Sequence, residues 1–301
     1  MANFSDLVEL AMRDPQLHGV RPVVEKELLH YDILFALDKE QLLEGIVFQG
    51  GTSLRLCHGS RRFSEDLDFA GGVDFSFPKL ARMKECIEDH LVRRYGLEVS
   101  VKEPKQTSPS LVNVATWQIK IRTAPERPHL PKQMIKLEVA NIPAHTREPK
   151  HLSRNYDFLP QGYEDFFIMT ESREEIMADK LLALPVVATQ GRYRYRDIWD
   201  LGFLATQKIK PDSELVQRKI EDYGVTNYDA ALDNIISRLP EVIHGTDFVS
   251  EMQRFLPPSI VDETLNRAVF GQWLQSTLSD MFVNVRDELR YGPSDAPTFR
   301  M

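Results

Sequence analysis

Asp66 and Asp68 stand one residue apart at the end of FQGGTSLRLCHGSRRFSEDLDF, residues 48–69, a stretch that opens on Gly50, Gly51, Thr52 and Ser53. On a strand, side chains at i and i+2 leave the same face about 7 Å apart. Carboxylates so placed repel each other, and burial raises that cost. A divalent cation removes the repulsion, and Mg²⁺ favours a few carboxylates together with phosphate oxygens and water. The glycine pair supplies a matching feature. A tight turn feeding a helix N-terminus presents several backbone N–H groups at once, and these bind phosphate oxygens. Thr52 and Ser53 could add hydroxyl donors. Taken singly, the glycines are an ordinary turn and the aspartates the wet face of an edge strand. Their closeness in sequence tips the reading toward a polyphosphate held through a metal.

Further residues could complete such a site. Glu138, in MIKLEVA, sits out of phase with the apolar positions of its strand and could stand beside the aspartates. Three carboxylates can hold two metal ions, one activating an attacking hydroxyl and the other steadying a leaving pyrophosphate. Pairing of Glu138 with Lys136 at the surface is the plain alternative. Lys180 falls with Met177 and Leu184 on one helical face, where an inward lysine needs an anionic partner, protein or phosphate, or must snorkel to the core's edge. Asp197 and Asp200, at i and i+3, follow the run RYRYR of residues 192–196. Arg196 could pair with Asp200 along the helix, or the arginines could contact a triphosphate or a nucleic-acid backbone.

The elements that must position these residues can be read from periodicity. Val24, Leu28, Tyr31 and Leu34 define an amphipathic helix over residues 21–37, and Phe77–Tyr95 a second. SLRLCHGS reads as a short helix after the glycine turn. Strands follow from alternation in SEDLDFA, in ATWQIKIR and in MIKLEVA. In ATWQIKIR, Ala115, Trp117, Ile119 and Ile121 face one way and Thr116, Gln118, Lys120 and Arg122 the other. Leu97–Val101 is a further short strand. Residues 141–165 read as a connection. Beyond it Ser172 and Glu175 suggest a capping box for a helix that Pro185 should end or kink. More helices are expected at Arg196–Thr206, Glu214–Tyr223, Ala230–Leu239 and Leu265–Leu289.

The bulk numbers bound the class. The 301 residues, 42% hydrophobic and 27% charged, can bury an ample core. A formal charge of −8 argues against coating nucleic acid non-specifically, but leaves room for local basic patches such as Arg61–Arg62 or Lys120–Arg122. No apolar run reaches the length of a membrane span, and MANFSDLVEL lacks the pattern of a signal peptide. Cys57 and Cys86 form neither a metal-ligand spacing nor a disulfide framework. A cytoplasmic location is the expectation.

In their order along the chain, EKELLHYDIL, FQGGTSLRLCHGSRRFSEDLDF, IKLEVA, EEIMADKLLAL and RYRDIWDL resemble the AbiEii/AbiGii-type toxin family of nucleotidyltransferases, which includes the mycobacterial MenT toxins. The central stretch is the specific part: a glycine turn, a hydroxyl, an arginine before Phe-Ser, then Asp-x-Asp. The last hundred or so residues match only in being helical. The resemblance implies an α+β fold, with a polymerase-β-like core on a mixed sheet in residues 1–155 and a helical domain in residues 156–301 that completes the active site. It places Gly51 and Thr52 at the family's Gly-Ser position, and Asp66 and Asp68 at its metal-binding pair. Glu138 would stand where many relatives carry aspartate. Lys180 would meet the nucleotide phosphates, Asp197 would be the acidic residue of the Arg-Asp-x-x-Asp-Leu motif, and Asp200 its second acid. Gly50 to Ser53 would lie under the triphosphate, with Arg196 a further contact. The implied cofactor is Mg²⁺, with Mn²⁺ as the alternative, and the implied substrate a nucleoside triphosphate. A tRNA 3′ end is the implied acceptor, so that aminoacylation and translation are blocked, and a cognate antitoxin is the implied partner. Two other readings stay open: transfer onto protein hydroxyls, of the antitoxin or of the chain itself at Thr52 or Ser53, and a nucleotide-binding module without chemistry.

Overall fold

Alternation of buried and open positions builds one seven-stranded sheet, in the order β3-β4-β5-β2-β1-β7-β6. The strands are β1 (Val47–Gln49), β2 (Leu67–Ala70), β3 (Glu98–Lys102), β4 (Val114–Arg122), β5 (Gln133–Ala140), β6 (Glu148–Lys150) and β7 (Ile168–Thr170). In the computed structural model, residues 3–105, 111–127 and 129–292 are described. The sheet is mixed. β2 runs parallel to β5 and β1 parallel to β7, whereas β1–β2, β3–β4, β4–β5 and β6–β7 are antiparallel.

One face of this sheet is apolar. Phe48, Leu67, Phe69, Trp117, Ile119, Ile135, Leu137 and Val139 form a single core with residues of α1 (Phe4–Ala11), α2 (Arg21–Lys39), α3 (Gly50–Cys57) and α4 (Met83–Tyr95). The opposite face carries the polar side chains of β3, β4 and β5, with buried Val47, Ala70 and Ala140 at the ends of β1, β2 and β5. Gly96 in the left-handed conformation stops α4 and returns its N–H to the Val92 carbonyl, so the chain can enter β3 directly. The stretch expected to be a plain connection, residues 141–165, holds β6 at the sheet's edge. Pro149 sits in that edge strand, where an absent N–H costs little.

The chain divides into two compact units. The first runs to Ser172, past the compositional change near residue 155, and also takes in Met252–Glu263. Burial of Tyr156, Leu159, Tyr163 and Phe166 in the sheet's core keeps that later stretch in this unit. The second unit, Arg173–Glu251 and from Thr264 onward, is helical. It contains α5 (Arg173–Ala188), α6 (Tyr195–Thr206), α7 (Ser213–Asp222), α8 (Tyr228–His244), most of α9 (Thr246–Gln253) and α11 (Ala268–Tyr291), whereas α10 (Pro258–Glu263) belongs to the first unit. Pro185 does not end α5, which continues through it to Ala188. Only the last turn lies beyond the proline, so the disruption is confined to a helix end. At the start of α5 the Ser172 N–H donates to Thr146 Oγ1, and Glu175 pairs with Lys219.

Candidate functional site

The glycine turn is the start of α3 itself. β1 passes into the helix with no loop, and Gly50 makes the corner at φ +76°. A side chain there would stand 2.9 Å from Asp68 Oδ2, so glycine is required both for its backbone and for the carboxylate beside it. Gly51 is constrained too. A Cβ on it would collide with the Arg62 guanidinium and approach Ser64 Oγ at 3.1 Å. No side chain caps the first turn of α3, as an anion site at a helix N-terminus would need.

Sheet register places the carboxylates. Asp68 on β2 is paired with Gln49 on β1 and with Glu138 on β5, and Glu138 in turn with Thr116 on β4. Partners in register lie about 4.8 Å apart across strands, so Gln49, Asp68, Glu138 and Thr116 form one row on the polar face. Thr116 Oγ1 donates to Glu138 Oε1 at 3.2 Å. Gln49 Oε1 is buried without a hydrogen-bond partner among the described residues. Asp66 makes a backbone contact of its own. It precedes β2, and its Oδ1 accepts the backbone N–H of Lys136 at 2.9 Å, extending the β2–β5 ladder by one bond. Among the described residues no set of three or more His, Cys, Asp or Glu side chains converges as metal ligands. The donor set that the register does bring together is Asp68 with Glu138. Mg²⁺ in phosphoryl-transfer sites commonly takes one or two carboxylates plus substrate phosphates, so this pair fits such an ion.

The hydroxyls after the glycines point inward. Thr52 is 1% exposed and its Oγ1 donates to the Asp66 carbonyl, while Ser53 is fully buried. Thr52 therefore braces the turn, Ser53 Oγ is buried without a hydrogen-bond partner among the described residues, and burial argues against either as an acceptor of self-modification. Arg62, read from sequence as a surface patch, is also buried, its Nη1 donating to the Phe63 carbonyl at 2.7 Å. A second, half-buried cation anchors α3. Arg55 donates to both oxygens of Glu27 on α2, at 2.6 and 3.0 Å, and lies over the Phe63 ring. Neither Glu27 nor Thr116 stood out in the sequence. The only available signal was an acid in the apolar phase of α2 and a hydroxyl in the polar phase of β4.

In the second unit Lys180 is 6% exposed and finds protein partners, Asp197 Oδ1 at 2.9 Å and Asp200 Oδ2 at 2.8 Å. Arg194 joins them on Asp197. Burial pushes the Asp197 carboxyl upward, but the Lys180 and Arg194 charges outweigh it and hold this carboxyl well below the usual range. Arg196 lies 4.0 Å from Glu251. A similar cluster joins α7 to α5, where fully buried Lys219 meets Glu175 at 2.7 Å and Asp179 at 3.2 Å. A cavity of about 730 Å³ in the first unit, lined by Lys39, Cys86, His90 and Arg94, opens between α2 and α4. Those helices cover the apolar face, so this cavity is separate from the carboxylate row.

Curated proteins yielded no match. The solved structure of MenT4, a nucleotidyltransferase toxin from Mycobacterium tuberculosis H37Rv, superposes with a TM-score of 0.58 at 17% identity, covering 97% of this chain and 94% of that one. JHP933 from Helicobacter pylori matches at a TM-score of 0.40 and 21% identity, over 89% of this chain and 93% of that one. The first of these shows a shared fold; the second is too distant to add to it. A family profile described as "Nucleotidyl transferase AbiEii toxin, Type IV TA system" matches residues 32–277, which span the glycine turn, the carboxylate row and most of the helical unit. The chain is thus a member of the AbiEii nucleotidyltransferase toxin family of toxin–antitoxin systems.

Proposed function

We propose that this family member moves a nucleotide from a nucleoside triphosphate to the 3′ end of a tRNA and so blocks translation. The observation that carries the reading is the contact between Gly50 and Asp68, with Glu138 in register alongside. It supports a reading in which anion-binding N–H groups and metal-holding carboxylates work at one corner of the sheet. The first-turn N–H groups of α3 receive the β- and γ-phosphates, as helix N-termini do. Asp68 and Glu138 would hold a divalent cation, Mg²⁺ or Mn²⁺, which supplies charge neutralisation at the phosphates. The acceptor's 3′-hydroxyl oxygen bonds to the α-phosphorus, the α–β phosphoanhydride bond breaks, pyrophosphate leaves, and the hydroxyl proton departs to solvent. Thr116 holds one Glu138 oxygen, and Asp66 secures the β2–β5 pairing that keeps the two carboxylates level. For Lys180 with Asp197 and Asp200 we assign the role their distances support, a buried charge cluster that fixes α5 to α6.

The test is incubation with total RNA and each labelled triphosphate in turn. The wild type should label tRNA and release pyrophosphate. Asp68→Ala should do neither while remaining folded, because removing one of two neighbouring carboxylates relieves repulsion. Undiminished labelling by that variant rejects the scheme. Label on protein in place of RNA moves the acceptor to a protein hydroxyl.

A further inference from the structure

The polar face of the sheet does not end at the carboxylates. Two residues further along the strands lies a second row, Lys136 on β5, Gln118 on β4 and Lys102 on β3. Beyond it comes a third, Met134, Lys120 and Ser100. Each row is about 7 Å from the last, and each strand about 5 Å from its neighbour. Lys102 and Lys120 are exposed and Lys136 half-buried. Among the described residues none of the three ammonium groups has an ion-pair or hydrogen-bond partner. In a chain with 45 acidic and 37 basic residues, neighbouring lysines without a carboxylate are unexpected. Two acids flank the strip: Asp66, whose Oδ1 accepts the backbone N–H of Lys136 at 2.9 Å, and Glu98, which is already shared by Arg122 at 2.7 Å and Lys132 at 2.5 Å. Met134, 43% exposed, adds an apolar contact within the lysine strip.

We infer that this face is the track on which the acceptor nucleic acid lies, its phosphates on Lys136, Lys120 and Lys102 and its 3′ end at the row of Asp68 and Glu138. The inference rests on the proposed transfer to RNA and adds where, and by which residues, the acceptor is held. Charge complementarity supports it: a cationic strip begins one row from the carboxylates in a protein whose overall charge would repel a polyanion. Lysines here contact the backbone without reading bases, so the track favours an RNA strand over a particular sequence.

The experiment is fluorescence anisotropy of a 5′-labelled RNA stem with a single-stranded 3′ end, without nucleotide, across a salt series. Neutralising the strip with Lys102→Gln, Lys120→Gln and Lys136→Gln together should weaken binding by about tenfold or more. It should also lower the slope of log affinity against log salt by about 2, since each phosphate contact on a single strand accounts for about 0.7. The same three positions changed to arginine should keep the slope. A control with Lys39, Lys84 and Lys210 changed to glutamine should leave it unaltered. An unchanged slope in the strip variant, wild-type protein that binds no RNA, or displacement of RNA by polyglutamate alone each overturns the inference. RNA binding that needs the strip, but with no nucleotide transfer by the wild type, sinks the proposed reaction and leaves the track standing. Transfer that survives the triple change with an unaltered KM for RNA does the reverse.

Discussion

Gly50 shows how a single residue can be held by two requirements at once. Its positive φ is a region where an L side chain costs about 1–2 kcal/mol, and the space its Cβ would need is occupied by Asp68. Gly50→Ala should therefore lower the unfolding free energy in urea by about 1–2 kcal/mol. It should also reduce pyrophosphate release by about tenfold or more, because the carboxylate must move away from its partner; a tenfold loss corresponds to about 1.4 kcal/mol in the barrier. Full activity with the expected loss of stability would show that the Gly50–Asp68 approach has no catalytic consequence. At this scale the chemistry was legible but the partners were not. Asp66 and Asp68 look equivalent in sequence, yet one completes a strand ladder and the other faces the turn, because β2 begins between them.

At the scale of elements, α2 is what fixes the site's corner. It contributes Glu27 to Arg55 on α3, and His30, whose Nε2 lies 3.0 Å from the carbonyl of Glu65, just before Asp66. Burial lowers the His30 pKa to about 4, against the opposing influence of the Glu65 carbonyl and nearby acids. The folded state thus binds this proton less readily than the unfolded chain, whose histidine titrates near 6.5. Between those values the unfolded state holds more protons, so stability falls as pH drops through the window and is unaffected above it. The slope reaches about 1.4 kcal/mol per pH unit, and on the order of 3 kcal/mol is lost by pH 4. Urea unfolding at pH 7 and pH 4.5 should show this loss in the wild type and a clearly smaller one in His30→Gln. Equal losses would assign the acid sensitivity elsewhere. Periodicity had located α2, but its buried polar residues were invisible to it, since a helix packed nearly all round leaves no wet face to mark them.

Over the whole molecule, the two units depend on different devices. The first has an apolar sheet face under helices, with the buried acid Glu27 held by Arg55; the second is a helical core with buried lysine–carboxylate clusters. Lys219 is fully enclosed with Glu175, so Lys219→Met leaves a buried carboxylate without its counter-charge and should cost about 3–5 kcal/mol by urea denaturation. Adding Glu175→Gln should recover part of that loss. A single variant as stable as wild type would show that this ion cluster does not stabilise the helical unit. No helix among the described residues is long and apolar enough to cross a membrane. The global charge of −8 makes the lysine strip a local exception rather than a sample of the average surface.

Spacing alone pointed to a polyphosphate held through a metal, because a glycine turn before paired acids is a local pattern whose parts lie within about twenty residues; the reaction class came from the resemblance to the AbiEii family. Strand alternation likewise settled which side chains of β4 and β5 face the core, since the two-residue period needs no partner strand to be read. Only the tertiary structure decided which carboxylate meets Glu138, that Lys180 has protein counter-charges, and that lysines from three strands share one open face. Those facts depend on strand register and helix docking, which arise from long-range packing that a one-dimensional period does not encode.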